Sequence, residues 1–185
     1  MKNILASKLQ STQPYTNQEL AWLLENIGHP DSDIRDKLVY ATFCHILLNG
    51  LITREQAQEL LQRSLDTKPF SLEASTLKRS FTCLLYCLLL SVDNEPESIY
   101  HAFLSTNDRE LLFQQALDYL AIENDWSGYD ENPAGSTPLH MVLISCWPQA
   151  ITPNFLSQKA KRHGKPFLFV YLNKIKPSQL ERKFA

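Results

Sequence analysis

Apolar and polar positions over the first two thirds of the chain follow the period of an α-helix, and helix-start signals separate the apolar stretches. Thr16 and Glu19 form a capping box, in which each side chain satisfies a backbone N–H of the first turn. The pattern predicts a helix over residues 17–26, which Gly28 and Pro30 end.

Two further helices follow by the same signals. Asp31 or Ser32 caps a second helix that ends before Gly50, a residue suited to the left-handed position after a helix. A capping box at residues 53–56 begins a third helix. Each helix carries a one-sided apolar stripe, formed in the second by Ile34, Leu38, Ala41, Ile46 and Leu48 and in the third by Ala57, Leu60, Leu61, Ser64 and Leu65.

A fourth helix is predicted from Ser75 or Thr76 to Val92. From Phe81 onward it is apolar on nearly every side, as expected of a central element packed between neighbours. A short helix is predicted over residues 99–104. Asn107 with Glu110 is expected to cap a last helix that frays near residue 124.

Helices joined by short turns, without an alternating strand pattern, predict an all-α fold built from antiparallel helical hairpins. We expect a divergent HEAT-like stack over residues 15–131, because no regular internal repeat is visible. Residues 1–14 are assigned to an N-terminal extension, and residues 132–185 to an irregular, basic, Pro-rich tail.

The chain changes composition at Pro133. Residues 1–132 carry 10 Lys and Arg against 19 Asp and Glu, whereas residues 133–185 carry 8 basic residues and one acid, Glu181. Six of the ten prolines also lie after residue 132. The net charge of −9 on the helical part disfavours nucleic-acid binding there. The basic tail, with interleaved aromatic residues, has a composition that suits phosphate contacts, but nucleic acid is not the expected partner.

The N-terminus lacks the apolar segment of a secretory signal, and the apolar run at residues 83–92 is shorter than a bilayer span. These features predict a cytoplasmic protein without a membrane segment. The four cysteines, Cys44, Cys83, Cys87 and Cys146, are therefore expected to be reduced and to behave as small buried apolar residues.

Several short motifs occur in one order along the helical part: LLENIGHPD at residues 23–31, DIRDKLVY at 33–40, RSF at 79–81, and LDYL at 117–120 running to a Gly-Tyr pair at 128–129. Together they resemble the bacterial domain-of-unknown-function family 2785 over residues 15–131. The resemblance implies an all-helical, HEAT-like superhelix and supplies no activity.

In that family the segment after the Gly-Tyr pair resembles G-W-x-H-x-x-A-H-G-A-D-L-L, whereas this chain reads PAGSTPLHMVLIS at residues 133–145. Read one nucleotide earlier, these codons can encode the family motif. Met141 followed by Val142 then must give glycine, and Trp147 followed by Pro148 must give alanine. We hypothesise that a one-nucleotide deletion near codons 132–133 produced the tail. The alternative is a divergent native tail.

Arg35, Asp36 and Arg79 are the candidate binding residues, since they are charged and lie inside the resembling motifs near the starts of the two longest helices. One interpretation is a polar patch on the inner surface of the superhelix that binds an anionic ligand or a partner peptide. The other is a structural ion-pair network, because charges near a core persist when paired.

No metal or cofactor site is predicted. Cys83 and Cys87 lie four residues apart in an apolar helix, without the tight Cys-x-x-Cys pairs typical of structural zinc. The sequence contains no Walker A, G-x-G-x-x-G, G-x-S-x-G or H-E-x-x-H motif.

Two functional hypotheses remain. The first is a non-catalytic scaffold whose concave helical face binds a protein or peptide. The second is an enzyme or nucleic-acid-acting HEAT-like protein that has lost the histidine-containing motif, an analogy that rests on fold alone. A shortened helical stack also predicts self-association through exposed apolar surface.

Overall fold

A computed structural model describes residues 1–122 of the 185-residue chain. The described part consists of α1 (Lys2–Lys8), α2 (Asn17–Glu25), α3 (Ser32–Ile34), α4 (Ala41–Leu48), α5 (Arg54–Asp66), α6 (Thr76–Asn94) and α7 (Thr106–Ile122), with a π-helical turn, Arg35–Tyr40, joining α3 to α4. These residues contain no strand, which confirms the all-α class for this part. The predicted tail and its frameshift hypothesis lie outside the described residues.

Local capping chemistry sets the starts of α2 and α5. The Glu19 backbone N–H donates to the Thr16 hydroxyl, and the Glu19 carboxylate accepts from the Thr16 N–H at 2.7 Å. Thr53 and Gln56 make the same reciprocal pair at α5. Both predicted capping boxes are confirmed.

The end of α4 depends on Gly50, which has a φ of 66°. This left-handed residue lets the Leu51 N–H donate to the Ile46 carbonyl at 2.9 Å, closing the helix as expected. Leu48, assigned to the buried stripe, is instead 68% exposed, and Leu47 is buried in its place. The assignment of Leu48 was wrong because the buried pairs of this helix recur every four residues, at 38–39, 42–43 and 46–47.

The predicted short helix at residues 99–104 is wrong, since the segment forms turns. Asp93, at the end of α6, determines its conformation. The Asp93 carboxylate accepts the Leu104 N–H at 2.9 Å, and the Asp93 carbonyl accepts the Ala102 N–H at 2.9 Å. These two bonds fold the segment back on α6.

The cap of α7 lies two residues before the predicted one. The Ser105 hydroxyl accepts the Asp108 N–H at 3.1 Å, and the Asp108 carboxylate accepts the Ser105 N–H at 3.0 Å. This reciprocal pair replaces the predicted cap by Asn107 and Glu110. The carboxylate also accepts from Gln58 and Gln62 of α5, so the start of α7 is tied to α5.

Helices pack on partners further along the chain as well as on the next helix. α2 packs against α5, α4 packs against α6, and α6 also packs against α7. Helix α6 is buried along most of its length, as predicted for the central helix. α1 packs against the π-helical turn, and its Leu5 is fully buried in the common core. Residues 1–14 thus contribute to the core through this helix.

Candidate functional site

An open groove of about 510 Å³ lies where the ends of α2 and α5 meet the start of α6. The loop between α2 and α3 forms one wall, and the end of α5 with the loop before α6 forms the other. The floor of the groove is apolar, at Ala21 and Leu24, and the rest of its lining includes polar and charged groups. Its lining residues are Ala21, Leu24, Glu25, Gly28, His29, Pro30, Arg63, Thr67, Ser75 and Lys78.

Arg35 fixes the conformation of the first wall. Its guanidinium donates to the carbonyl oxygens of His29 at 3.0 Å and Pro30 at 3.2 Å. The same group forms a two-pronged ion pair with Asp36, at 2.9 and 3.1 Å, and lies 4.9 Å from the centre of the Phe81 ring. Arg35 is largely buried, and its contacts hold the loop against α6.

Gly28 lets this wall approach α6 closely. A Cβ atom at position 28 would lie 2.7 Å from the Cα of Lys78, a distance that real Cβ contacts do not show. Any side chain at Gly28 would therefore displace either the loop or the first turn of α6. The width of the groove depends on this contact.

Arg79 supports the second wall in the same way. Its guanidinium donates to the Ala74 carbonyl and, at 3.0 Å, to the Thr76 hydroxyl. Ala74 precedes Ser75, whose hydroxyl accepts the Lys78 N–H and caps α6. The two arginines predicted from sequence thus each hold a loop that lines the groove. Their predicted contact with a ligand stays a prediction.

Lys78 lines the groove and brings a positive charge to it. Among the described residues its ammonium takes part in no ion pair, whereas Arg63 pairs with Glu59 at 2.5 Å. His29 accepts the Asp31 N–H on Nδ1, so its neutral ring carries the proton on Nε2. Glu25 is the acidic group of the lining. Lys78 is therefore the group with which a carboxylate in this groove would pair.

Sequence reasoning did not assign Lys78, His29 or Ser75 to a site, although Ser75 was predicted as a possible start of the fourth helix. A signal for Lys78 was present, because the first turn of α6 has no acidic residue and instead places Lys78 and Arg79 near the positive end of the helix dipole. In α2, α5 and α7 the first turn carries an acid. The order of charged residues along the helix could therefore have indicated the start of α6 as a candidate site.

The cysteines of the described part do not form a metal site. Cys83 and Cys87 are buried in α6, and burial raises the pKa of the half-buried Cys44 thiol. Over residues 1–122, no group of three or more potential ligands from His, Cys, Asp and Glu is arranged to hold a metal ion. Over the same residues, the helices lack the combined length and apolar character that spanning a bilayer requires.

Comparison of the chain with protein-family models, with curated proteins and with solved structures gives no match.

Proposed function

We propose that the helical domain is a non-catalytic scaffold that binds an extended segment of a partner protein in the groove between α2, α5 and α6. The observation that carries this proposal is the support of both groove walls by arginine guanidinium groups, Arg35 on one side and Arg79 on the other. Walls fixed before binding lower the entropy lost when a peptide docks. An open groove suits a peptide better than a small molecule, because small molecules usually bind in pockets that bury most of their surface.

We also propose that the fold is a two-layered, HEAT-like stack. Because α3, the π-helical turn and α4 form one continuous helical segment over residues 32–48, the contacts of α2 with α5 and of α4 with α6 each skip one segment. Contacts of this kind support the arrangement, since they occur within each layer of such a stack. The resemblance to family 2785 agrees with it and stays a prediction.

The bound segment is proposed to carry an Asp or Glu. Its carboxylate would pair with Lys78, while apolar side chains would contact the floor at Ala21 and Leu24. The negative charge of the chain as a whole does not oppose this pairing, because exposed charges more than about 8 Å away are largely screened at physiological salt.

Selection of a displayed random-peptide library on the full chain tests the proposal. Enriched peptides should contain an acidic residue beside apolar residues. Their affinity, measured by calorimetry, should fall about ten-fold in Lys78→Gln and stay unchanged in Lys37→Gln, which neutralises an exposed lysine outside the groove. Absence of any enriched peptide, or equal binding to both variants, would overturn it.

A further inference from the structure

Helix α1 has only seven residues, Lys2–Lys8. Isolated helices this short are not stable in water, so α1 is helical because it is docked. It packs on the π-helical turn Arg35–Tyr40. We call the surface that it covers the α1 seat, which comprises this turn together with Tyr15, Glu19 and Asp33.

The α1 seat matches a basic amphipathic helix. The sequence KNILASK has lysines at both ends, the apolar residues Ile4, Leu5 and Ala6 between them, and no acid. Leu5 is fully buried at the centre. At one end the Lys8 ammonium lies 2.8 Å from the Glu19 carboxylate and 4.9 Å from the centre of the Tyr15 ring. At the other end Lys2 lies within electrostatic range of Asp33.

The docked state also contains an unfavourable group. The Tyr15 hydroxyl is buried and has no hydrogen-bond partner within the described residues. A buried hydroxyl without a partner opposes the docked state, since water would satisfy it. Lys8 covers the Tyr15 ring, so departure of α1 would give water access to this side chain.

The connection from α1 to the rest of the fold is anchored at its far end. The Tyr15 N–H donates to the Leu51 carbonyl at 3.1 Å, and His45 Nε2 lies 2.8 Å from the Ser11 carbonyl oxygen. Residues 12–14 between these anchors are without helical structure. The chain can therefore release α1 while Tyr15 and α2 stay in place.

We propose that the α1 seat is an exchangeable docking site for a basic amphipathic helix, filled by α1 of the same chain or by α1 of a second copy. Exchange between two copies keeps every contact of the seat, because the two helices are identical. Only the path of residues 9–14 differs, and with it the contact of Ser11 with His45. Protein concentration then decides which α1 occupies the seat.

A synthetic peptide of residues 1–12 stands for the α1 of a second copy in the first test. In the full-length Lys8→Glu variant, the carboxylate introduced on α1 is repelled by Glu19, so the variant's own α1 leaves the seat. This variant should bind the labelled peptide at least about ten-fold more tightly than the wild type does. A peptide with Leu5→Ala should not bind, since it lacks the apolar side chain that α1 buries in the seat.

A mixture of two variants provides the second test. In each of the variants Lys8→Glu and Glu19→Lys, residues 8 and 19 carry charges of the same sign, so the chain's own α1 does not match its seat. In the mixture, residue 8 of one variant meets the opposite charge at residue 19 of the other. Light scattering after size-exclusion chromatography should show a monomer for each variant alone and a 1:1 dimer for the mixture. Because Glu19 also caps α2, the fold of each variant is checked by circular dichroism. A monomeric mixture of folded variants, or peptide binding no tighter in Lys8→Glu than in wild type, would overturn the proposal.

Discussion

The Arg35 guanidinium donates to the His29 carbonyl oxygen at 3.0 Å, which ties a largely buried charge to the loop that forms one wall of the groove. The neighbouring Lys37 also forms an ion pair, with Asp33 at 2.8 Å, but both of its members are exposed. The ion pairs Arg35–Asp36 and Lys37–Asp33 therefore offer a matched comparison. The first lies beside a wall of the groove, and the second is exposed to solvent.

Arg35→Met should lower the free energy of unfolding by about 1–3 kcal/mol, because the two carbonyls and the Asp36 carboxylate lose their donor. Hydrogen exchange of residues 28–31 should also become faster. Lys37→Met should leave both measurements unchanged. Equal losses in the two variants would show that Arg35 has no special role in holding the loop.

Gly28→Ala should destabilise the fold by about 1–3 kcal/mol, since the new methyl group would meet the backbone of Lys78. It should also weaken binding of a selected peptide. Gly50→Ala provides the comparison, because its φ of 66° makes alanine unfavourable by about 1 kcal/mol, away from the groove. Calorimetry should therefore show peptide affinity changed only in Gly28→Ala. Loss of affinity in both would indicate a general effect of stability.

The ion pair between Asp93 and Arg109 should contribute strongly to stability. The Asp93 side chain is fully buried and lies 2.7 Å from the Arg109 guanidinium, which is 40% exposed. Arg109→Leu would leave that carboxylate buried without its cation, and urea unfolding should show a loss of about 2 kcal/mol or more. Arg63→Leu, which breaks the exposed pair with Glu59, should cost about 0.5 kcal/mol. Similar values for the two would contradict the role assigned to Asp93.

Acid should weaken the contact of α1 with α2. Burial by itself raises the pKa of the Glu19 carboxyl, but hydrogen bonds from Lys8 and Thr16 bring it below its ordinary 4.5. A lowered pKa in the folded state means that the charged form stabilises the fold above pH 4.5 and that this contribution is lost as the pH falls through the folded-state pKa.

The stability difference between wild type and Glu19→Gln should therefore be up to about 1 kcal/mol near neutral pH and should shrink below pH 4.5. Urea unfolding across this range measures it. Glu73→Gln, at an exposed loop position, should follow the wild-type profile throughout. A Glu19→Gln difference that is independent of pH would contradict this assignment.

The features that sequence predicts correctly are those that neighbouring residues determine. The capping boxes at Thr16 and Thr53 involve residues three apart, and Gly50 ends α4 by its own backbone freedom. The turns at residues 99–104 depend instead on Asp93, which no local pattern reveals. The π-helical turn and the docking of α1 likewise depend on tertiary contacts.

Prediction of the candidate site was partial for a similar reason. Arg35 and Arg79 stood out as charged residues inside short motifs, and both contact loops that line the groove. Lys78 lies outside the motifs, and His29, although inside one, was not selected as a candidate. Both line the groove only because the loop after α2 lies against the start of α6. A pattern along one helix does not show which loop will face it.

Hydrogen exchange of the full chain, with and without a selected acidic peptide, tests the proposed binding groove most directly. The account predicts slower exchange on binding at residues 26–31 and 67–78, which include the two walls, and no change at residues 99–104. Protection confined to other segments, with the groove residues exchanging at their free rate, would contradict it.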